Sequence, residues 1–207
     1  MGKFLRQIIV FSMLLQLLIA SPLKAIAGSE EAIFAGGCFW CLEHDLESFK
    51  GINSVQSGYS GGDLPNPTYQ NHDGHQEVVL ASYDPKITNL PEILRLYLRN
   101  VDPLDGEGQF CDRGDSYRPV VFFNDSKEEN EAKNALINAS RELGVPLEKI
   151  AVELKQKNQF WLAEDYHQDF ADRNELRYKF YRFSCGRDQR LDNLWREKAR
   201  SIELWSE

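Results

Sequence analysis

The chain has little cysteine and little positive charge, and past residue 27 it has no long hydrophobic run. Four cysteines in 207 residues are few for a scaffold that depends on staples, and a chain of this length can bury its own core. The cysteines therefore invite a chemical reading before a structural one. Lys and Arg number 24 against 32 Asp and Glu, a balance that argues against nucleic acid and anionic lipid as partners. Cys38 and Cys41 form the only close cysteine pair, whereas structural zinc sites usually show two such pairs. Internal repeats and low-complexity stretches are absent as well.

The exception to the missing hydrophobic run lies at the start. Lys3 and Arg6 precede the apolar stretch Ile8 to Ala20, and Ala25-Ile26-Ala27 supplies small residues at the positions a signal peptidase needs. This predicts a secretory signal peptide cleaved after Ala27. The run is too short for a membrane span, which needs roughly 20 apolar residues, so no stable membrane association is expected after cleavage. Residues 28–207 are then one domain in an exported, periplasmic or secreted protein. Loss of Lys3, Arg6 and Lys24 takes the net charge from −8 to −11.

Within that domain the pattern predicts strands at Glu31–Gly37, Ile52–Tyr59, Gln76–Tyr83, Pro119–Phe123 and Ile150–Lys155. Helices are expected at Phe39–Lys50, Asn89–Val101, Ser126–Leu143, Glu164–Arg173 and Leu191–Trp205. Ser126 reads as an N-cap, with Glu129 completing a capping box. The segments Ser60–His75 and Asp102–Arg118 read as long loops, and long loops in a compact domain are usually functional. Alternating strands and helices with uneven connections imply an α/β or α+β domain with a mixed sheet.

The sharpest local signal is Gly36-Gly37-Cys38-Phe39-Trp40-Cys41. It places a cysteine where a strand hands over to a helix. Unpaired N–H groups and partial positive charge at a helix start favour thiolate. A buried structural cysteine is the alternative.

With the phrases that follow it, this hexapeptide resembles the A-type methionine sulfoxide reductases, whose hallmark is Gly-Cys-Phe-Trp. Further matches come in order: Gly58-Tyr59-Ser60-Gly61-Gly62, Asn66-Pro67-Thr68-Tyr69, Gly74-His75-Gln76-Glu77-Val78, and Gly108 to Gly114 with Tyr117-Arg118. The last is Ala163-Glu164-Asp165-Tyr166-His167-Gln168. The resemblance covers about residues 31 to 190.

The resemblance implies a two-layer sandwich of ferredoxin-like character and reduction of free or protein-bound methionine sulfoxide, at the S epimer, to methionine. No metal or organic cofactor is implied. Cys38 is then the thiolate that attacks sulfur, and Glu77 the carboxylic acid that protonates the departing oxygen. To do so near neutral pH it must be kept neutral by burial; alone it would read as a surface charge. Tyr59 and Tyr117 match the tyrosines that bind the sulfoxide oxygen, and phenols are neutral donors suited to an oxygen gaining charge. Asp112 matches the carboxylate that organises the pocket. Phe39 and Trp40 match the walls for the S-methyl group, although core packing explains such aromatics equally. His75 and His167 read as structural.

Attack leaves Cys38 as a sulfenic acid that a second thiol condenses with. The resemblance ranks Cys185 first as that thiol, then Cys41, then Cys111. It also implies a thioredoxin-like reductant and an enzyme expected to act as a monomer. Two other readings compete: a disulfide exchanger using Cys38 and Cys41, which has no need of Glu77, the phenols or Asp112, and a secreted binding domain stapled by two disulfides.

Overall fold

The computed structural model describes residues 28–205. The expected signal segment, residues 1–27, lies outside them. No helix among the described residues is long and apolar enough to cross a membrane.

The backbone first runs through β1 (Glu30–Ala35), α1 (Phe39–Glu47), β2 (Ile52–Ser60), β3 (Gln76–Tyr83) and α2 (Leu90–Leu98). A short hairpin follows, β4 (Gly108–Gln109) with β5 (Asp112–Arg113), inside the second long loop. Then come β6 (Val120–Phe123), α3 (Ser126–Leu143), β7 (Glu153–Gln156) and β8 (Trp161–Leu162). Three helices close the domain: α4 (Phe170–Arg173), α5 (Glu175–Ser184) and α6 (Arg187–Trp195).

The six-stranded sheet has the order β7-β6-β1-β3-β2-β8. Its centre, β6-β1-β3-β2, is antiparallel throughout. With α1 after β1 and α2 after β3, it forms the split βαβ arrangement of ferredoxin-like folds. β7 adds a parallel edge beyond β6 and β8 an antiparallel edge beyond β2, so the sheet is mixed, as expected.

Alternation along the strands divides the sheet into two faces. Phe34, Val79, Ala81 and Val121 point into the main core, where Leu42 and Leu46 of α1, Ile93, Leu94 and Tyr97 of α2, and Ala135 and Ala139 of α3 meet them. Ile33, Ala35, Val78, Val120 and Phe122 form a smaller cluster on the other face, covered by Leu80 and Phe160. The helices thus form one layer and the sheet the other.

Several expected boundaries move, each for a visible reason. Asp125, not Ser126, caps α3: its side chain accepts from the Lys127 and Glu128 amides at 2.9 Å each. Of the helix expected at Glu164–Arg173, only Phe170–Arg173 is helical, and the residues before it turn so that Glu164 and His167 face inward. The terminal helix begins earlier than expected and stops at Trp195, followed by Arg196 at φ +52°. The chain beyond is held by fully buried Arg99, whose guanidinium donates to the carbonyls of Ser201, Glu203 and Leu204 and packs over Trp205. Helix α5 had no counterpart in the sequence reading. Its outward Leu176, Phe180 and Phe183 form a second apolar stripe opposite the buried Tyr178, so no single apolar face stands out in the sequence.

Candidate active site

The turn between β1 and α1 is built for close approach. Gly37 sits at φ +82°, and a Cβ there would lie 2.7 Å from Cβ of Gln109; one on Gly36 would lie 2.6 Å from Val101. The Gly37 amide donates to the Tyr117 carbonyl at 3.1 Å, which draws the second long loop over the head of α1. Cys38 is the N-cap residue of that helix.

Cys38 opens on a cleft of about 60 Å³ shared with Trp40, Tyr69, Glu77, Asp112, Tyr117 and Tyr181. Larger hollows lie against the C-terminal helices, but none of their lining residues is a cysteine. The small size of the cleft suits a methyl sulfoxide presented on a side chain.

Glu77 opens β3 and is 1 % exposed. Burial pushes its pKa up to about 8, and the nearby Asp112 adds to the rise. Two donors oppose the shift: the Phe39 amide, 3.2 Å from Oε2, and the Tyr117 hydroxyl. The first of these is one of the helix's otherwise unpaired N–H groups. Asp112 is raised by burial too, held back by the Tyr181 hydroxyl, which donates to Oδ2 at 2.5 Å, and by the Cys38 amide.

The thiol behaves differently from expectation. Cys38 is only 7 % exposed. Burial pushes its pKa up, and the neighbouring Cys41, Glu77 and Asp112 push the same way. Cys41 is shifted down, because it accepts a hydrogen bond from Cys38 and feels the buried Arg187.

Trp40 forms one wall. Its ring stacks on Phe170 with centroids 3.7 Å apart, and its Nε1 donates to His167 Nδ1 at 3.0 Å. Phe39 is fully buried behind it, its ring against those of His167 and Tyr59. Burial lowers the pKa of His167, so the ring serves as a neutral acceptor with a structural role. His75 is also structural, accepting from the Gly62 amide and meeting the Leu64 carbonyl.

Tyr59 is not on the cleft. It is fully buried, and its hydroxyl donates to Glu164 Oε2 at 3.0 Å. Tyr69 takes the place expected of it on the wall. Glu164 accounts for both positions, because its other oxygen accepts the Tyr69 amide at 2.9 Å. Tyr69 and Glu164 lie in two of the matching phrases, but nothing in the sequence gives either a role. Tyr181 was missed because α5 was missed.

Cys111 and Cys185 are joined in a disulfide, while Cys38 and Cys41 are free. The disulfide lies at the rim of the cleft: Cys111 precedes Asp112, and Cys185 follows Tyr181 by one helical turn, its amide donating to the Tyr181 carbonyl.

The sequence profile of peptide methionine sulfoxide reductase matches residues 30–199. The chain belongs to the peptide methionine sulfoxide reductase family. It is 41 % identical over 193 residues to peptide methionine sulfoxide reductase MsrA 2 of Rhizobium meliloti, covering 92 % of this chain and 96 % of that one. Its namesake from Caulobacter vibrioides is 43 % identical over 195 residues, covering 92 % and 98 %. A Vibrio cholerae MsrA/MsrB protein is 42 % identical over 173 residues; there the match takes in 82 % of this chain but 46 % of the longer relative. Among solved structures, methionine sulfoxide reductase A of Corynebacterium diphtheriae superposes with a TM-score of 0.69 at 26 % identity, covering 77 % of this chain and 81 % of the other. Reduced Mxr1 of Saccharomyces cerevisiae gives 0.65 at 28 %, covering 72 % and 88 %. The chain is therefore an oxidoreductase of the A type, and its fold is that of the family.

Proposed function

We propose that this enzyme reduces the S epimer of methionine sulfoxide, free or in proteins, with Cys38 as nucleophile and Glu77 as acid. One observation carries the assignment of roles: a thiol, a carboxyl held neutral by burial and the phenols of Tyr69 and Tyr117 line one cleft. Cys38 gives up its proton and attacks the sulfoxide sulfur as a thiolate. Glu77 protonates the oxygen, and Tyr69 and Tyr117 steady the charge developing there. The balance is one thiol and one sulfoxide giving a sulfenic acid and a thioether. A second thiol then condenses with the sulfenic acid, forming a disulfide and releasing water.

Cys185, working with Cys111, is the resolving thiol in this reading. The Cys185 thiol attacks Cys38, and attack by Cys111 on Cys185 then closes Cys111–Cys185 and returns Cys38 free, the arrangement seen here. A thioredoxin-like protein reopens the exposed disulfide. Cys41 is the second reading, favoured by its hydrogen bond to Cys38. Phe39 and Trp40, both lining the cleft, give it its apolar side.

The test is turnover of each epimer of a sulfoxide peptide with dithiothreitol. The S epimer should be consumed and the R epimer left, and Cys38→Ser should abolish turnover. A protein with its Cys38 thiol demonstrably free that leaves both epimers intact would refute the proposal. Export is part of the reading as well, resting on the charge and apolar pattern of residues 1–27. An extracytoplasmic product whose N-terminus is Gly28 would support it, and a cytoplasmic one retaining Met1 would end it.

A further inference from the structure

On the flank of α1, away from Cys38, three carboxylates converge. Glu43 and Glu47 stand one turn apart on the helix, and Asp169 precedes α4. One oxygen from each lies within 4.8 Å of the other two. Oxygens bound to a common calcium ion at about 2.3–2.6 Å can lie no more than about 5 Å apart, so the spacing fits one shared ion. Glu43 is the telling member. It is 2 % exposed, and its Oε1 has no hydrogen-bond partner among the described residues. A buried carboxylate oxygen left unpaired is expensive, and proteins normally avoid one.

From this geometry we infer that Glu43, Glu47 and Asp169 form a binding site for a divalent cation with oxygen preference, calcium in particular. Burial and the neighbouring carboxylates raise Glu43 and Glu47 to about 7 each, although the Asp169 amide and the Ser57 hydroxyl draw Glu43 back down. Asp172 adds a further negative charge beside Glu47. Arg173 meets Asp169 Oδ2 at 3.3 Å, but both side chains are about half exposed, which leaves that pair weak. The donors are carboxylate oxygens from a helix and a turn, the hard ligands calcium takes in flexible geometry; magnesium demands near-ideal octahedral geometry. The ion would clamp α1 to α4. Phe170, next to Asp169, is the residue stacked on Trp40, so the clamp would hold one wall of the cleft.

Chelator-treated protein should take up one Ca²⁺ per chain by calorimetry, with a dissociation constant of about 10⁻⁴–10⁻³ M, as in extracellular calcium modules, and Mg²⁺ should bind at least tenfold more weakly. Added CaCl₂ should raise Tm. Glu47→Gln and Asp169→Asn, measured separately, should each weaken Ca²⁺ binding at least tenfold and lose that rise. With EDTA, Glu47→Gln should melt above the parent at pH 8, because a repelling charge has gone. The absence of saturable Ca²⁺ heat up to 10 mM, or an equal Tm rise in parent and both variants, would overturn the inference and leave a proton shared among the carboxylates.

Discussion

A carboxyl can hand over a proton at neutral pH only if something keeps it protonated, and at Glu77 that something is burial. With a pKa of about 8, its acid form predominates below that pH and is lost above it. The rate of sulfenic acid formation in a single turnover should therefore fall as pH rises through about 8. Glu77→Gln should slow that step by on the order of a hundredfold or more and remove the limb at 8. Stability gives a separate check. Between the usual carboxyl value and 8 the native state holds a proton that the unfolded state has released, so stability falls as pH rises through that window. Glu77→Gln should therefore melt above the parent at pH 9. A variant with full activity at pH 7 would remove Glu77 from the reaction. At this scale much of the site was legible, because Cys38, Glu77, Asp112 and Tyr117 sit in phrases that name them. Tyr59 was misassigned because it too sits in such a phrase. That its hydroxyl turns to Glu164, 105 residues away, is a tertiary fact that no local pattern carries. The raised pKa of Cys38 was hidden for the same reason: the helix start is visible in sequence, but the burial and the nearby Glu77 and Asp112 are not.

Elements are defined at their ends, and α3 shows how little separates two readings. Its sequence offers two capping frames one residue apart, Ser126 with Glu129 and Asp125 with Glu128. The second is used. Asp125 accepts two amides, and Glu128 reaches back to the Asn124 amide at 2.7 Å. A lost cap costs about 1 kcal/mol. Asp125→Ala should therefore lose about that much in urea unfolding, and Ser126→Ala should change stability by only a few tenths. The reverse order would restore the frame read from sequence. The strands were easier. β3 runs from Gln76 to Tyr83 as its β-branched residues indicated, and as a central strand it is buried along most of its length. Near the C-terminus the sequence pattern weakens. There Gly186 at φ +67° separates α5 from α6, and buried Arg99 rather than helix propensity determines the path after Trp195.

Across the whole molecule, the two-layer core holds the cleft in place and the C-terminal helices connect it to the redox chain. Both methionines, Met1 and Met13, fall in the segment expected to be removed, which would leave a repair enzyme without the side chain it repairs. The Cys111–Cys185 bond ties the second long loop to α5, and Asp112 and Tyr181, which flank it in sequence, meet in a hydrogen bond at the cleft wall. Recycling should therefore separate from the first chemical step. Cys185→Ser should still release one methionine per chain in a single turnover, because Cys38, Glu77 and Tyr117 are untouched. It should lose turnover driven by a thioredoxin-type protein by tenfold or more, while dithiothreitol, small enough to reach Cys38 directly, continues to support it. Mass mapping after one turnover then distinguishes Cys185 from Cys41, and a Cys38–Cys111 bond in that variant would assign the step to Cys111. If Cys185→Ser accumulates an oxidised Cys38 without a disulfide, Cys185 resolves the sulfenic acid. A Cys38–Cys41 bond formed at the parent's rate in that variant would assign the step to Cys41 and leave Cys111–Cys185 as a later relay or a structural tie.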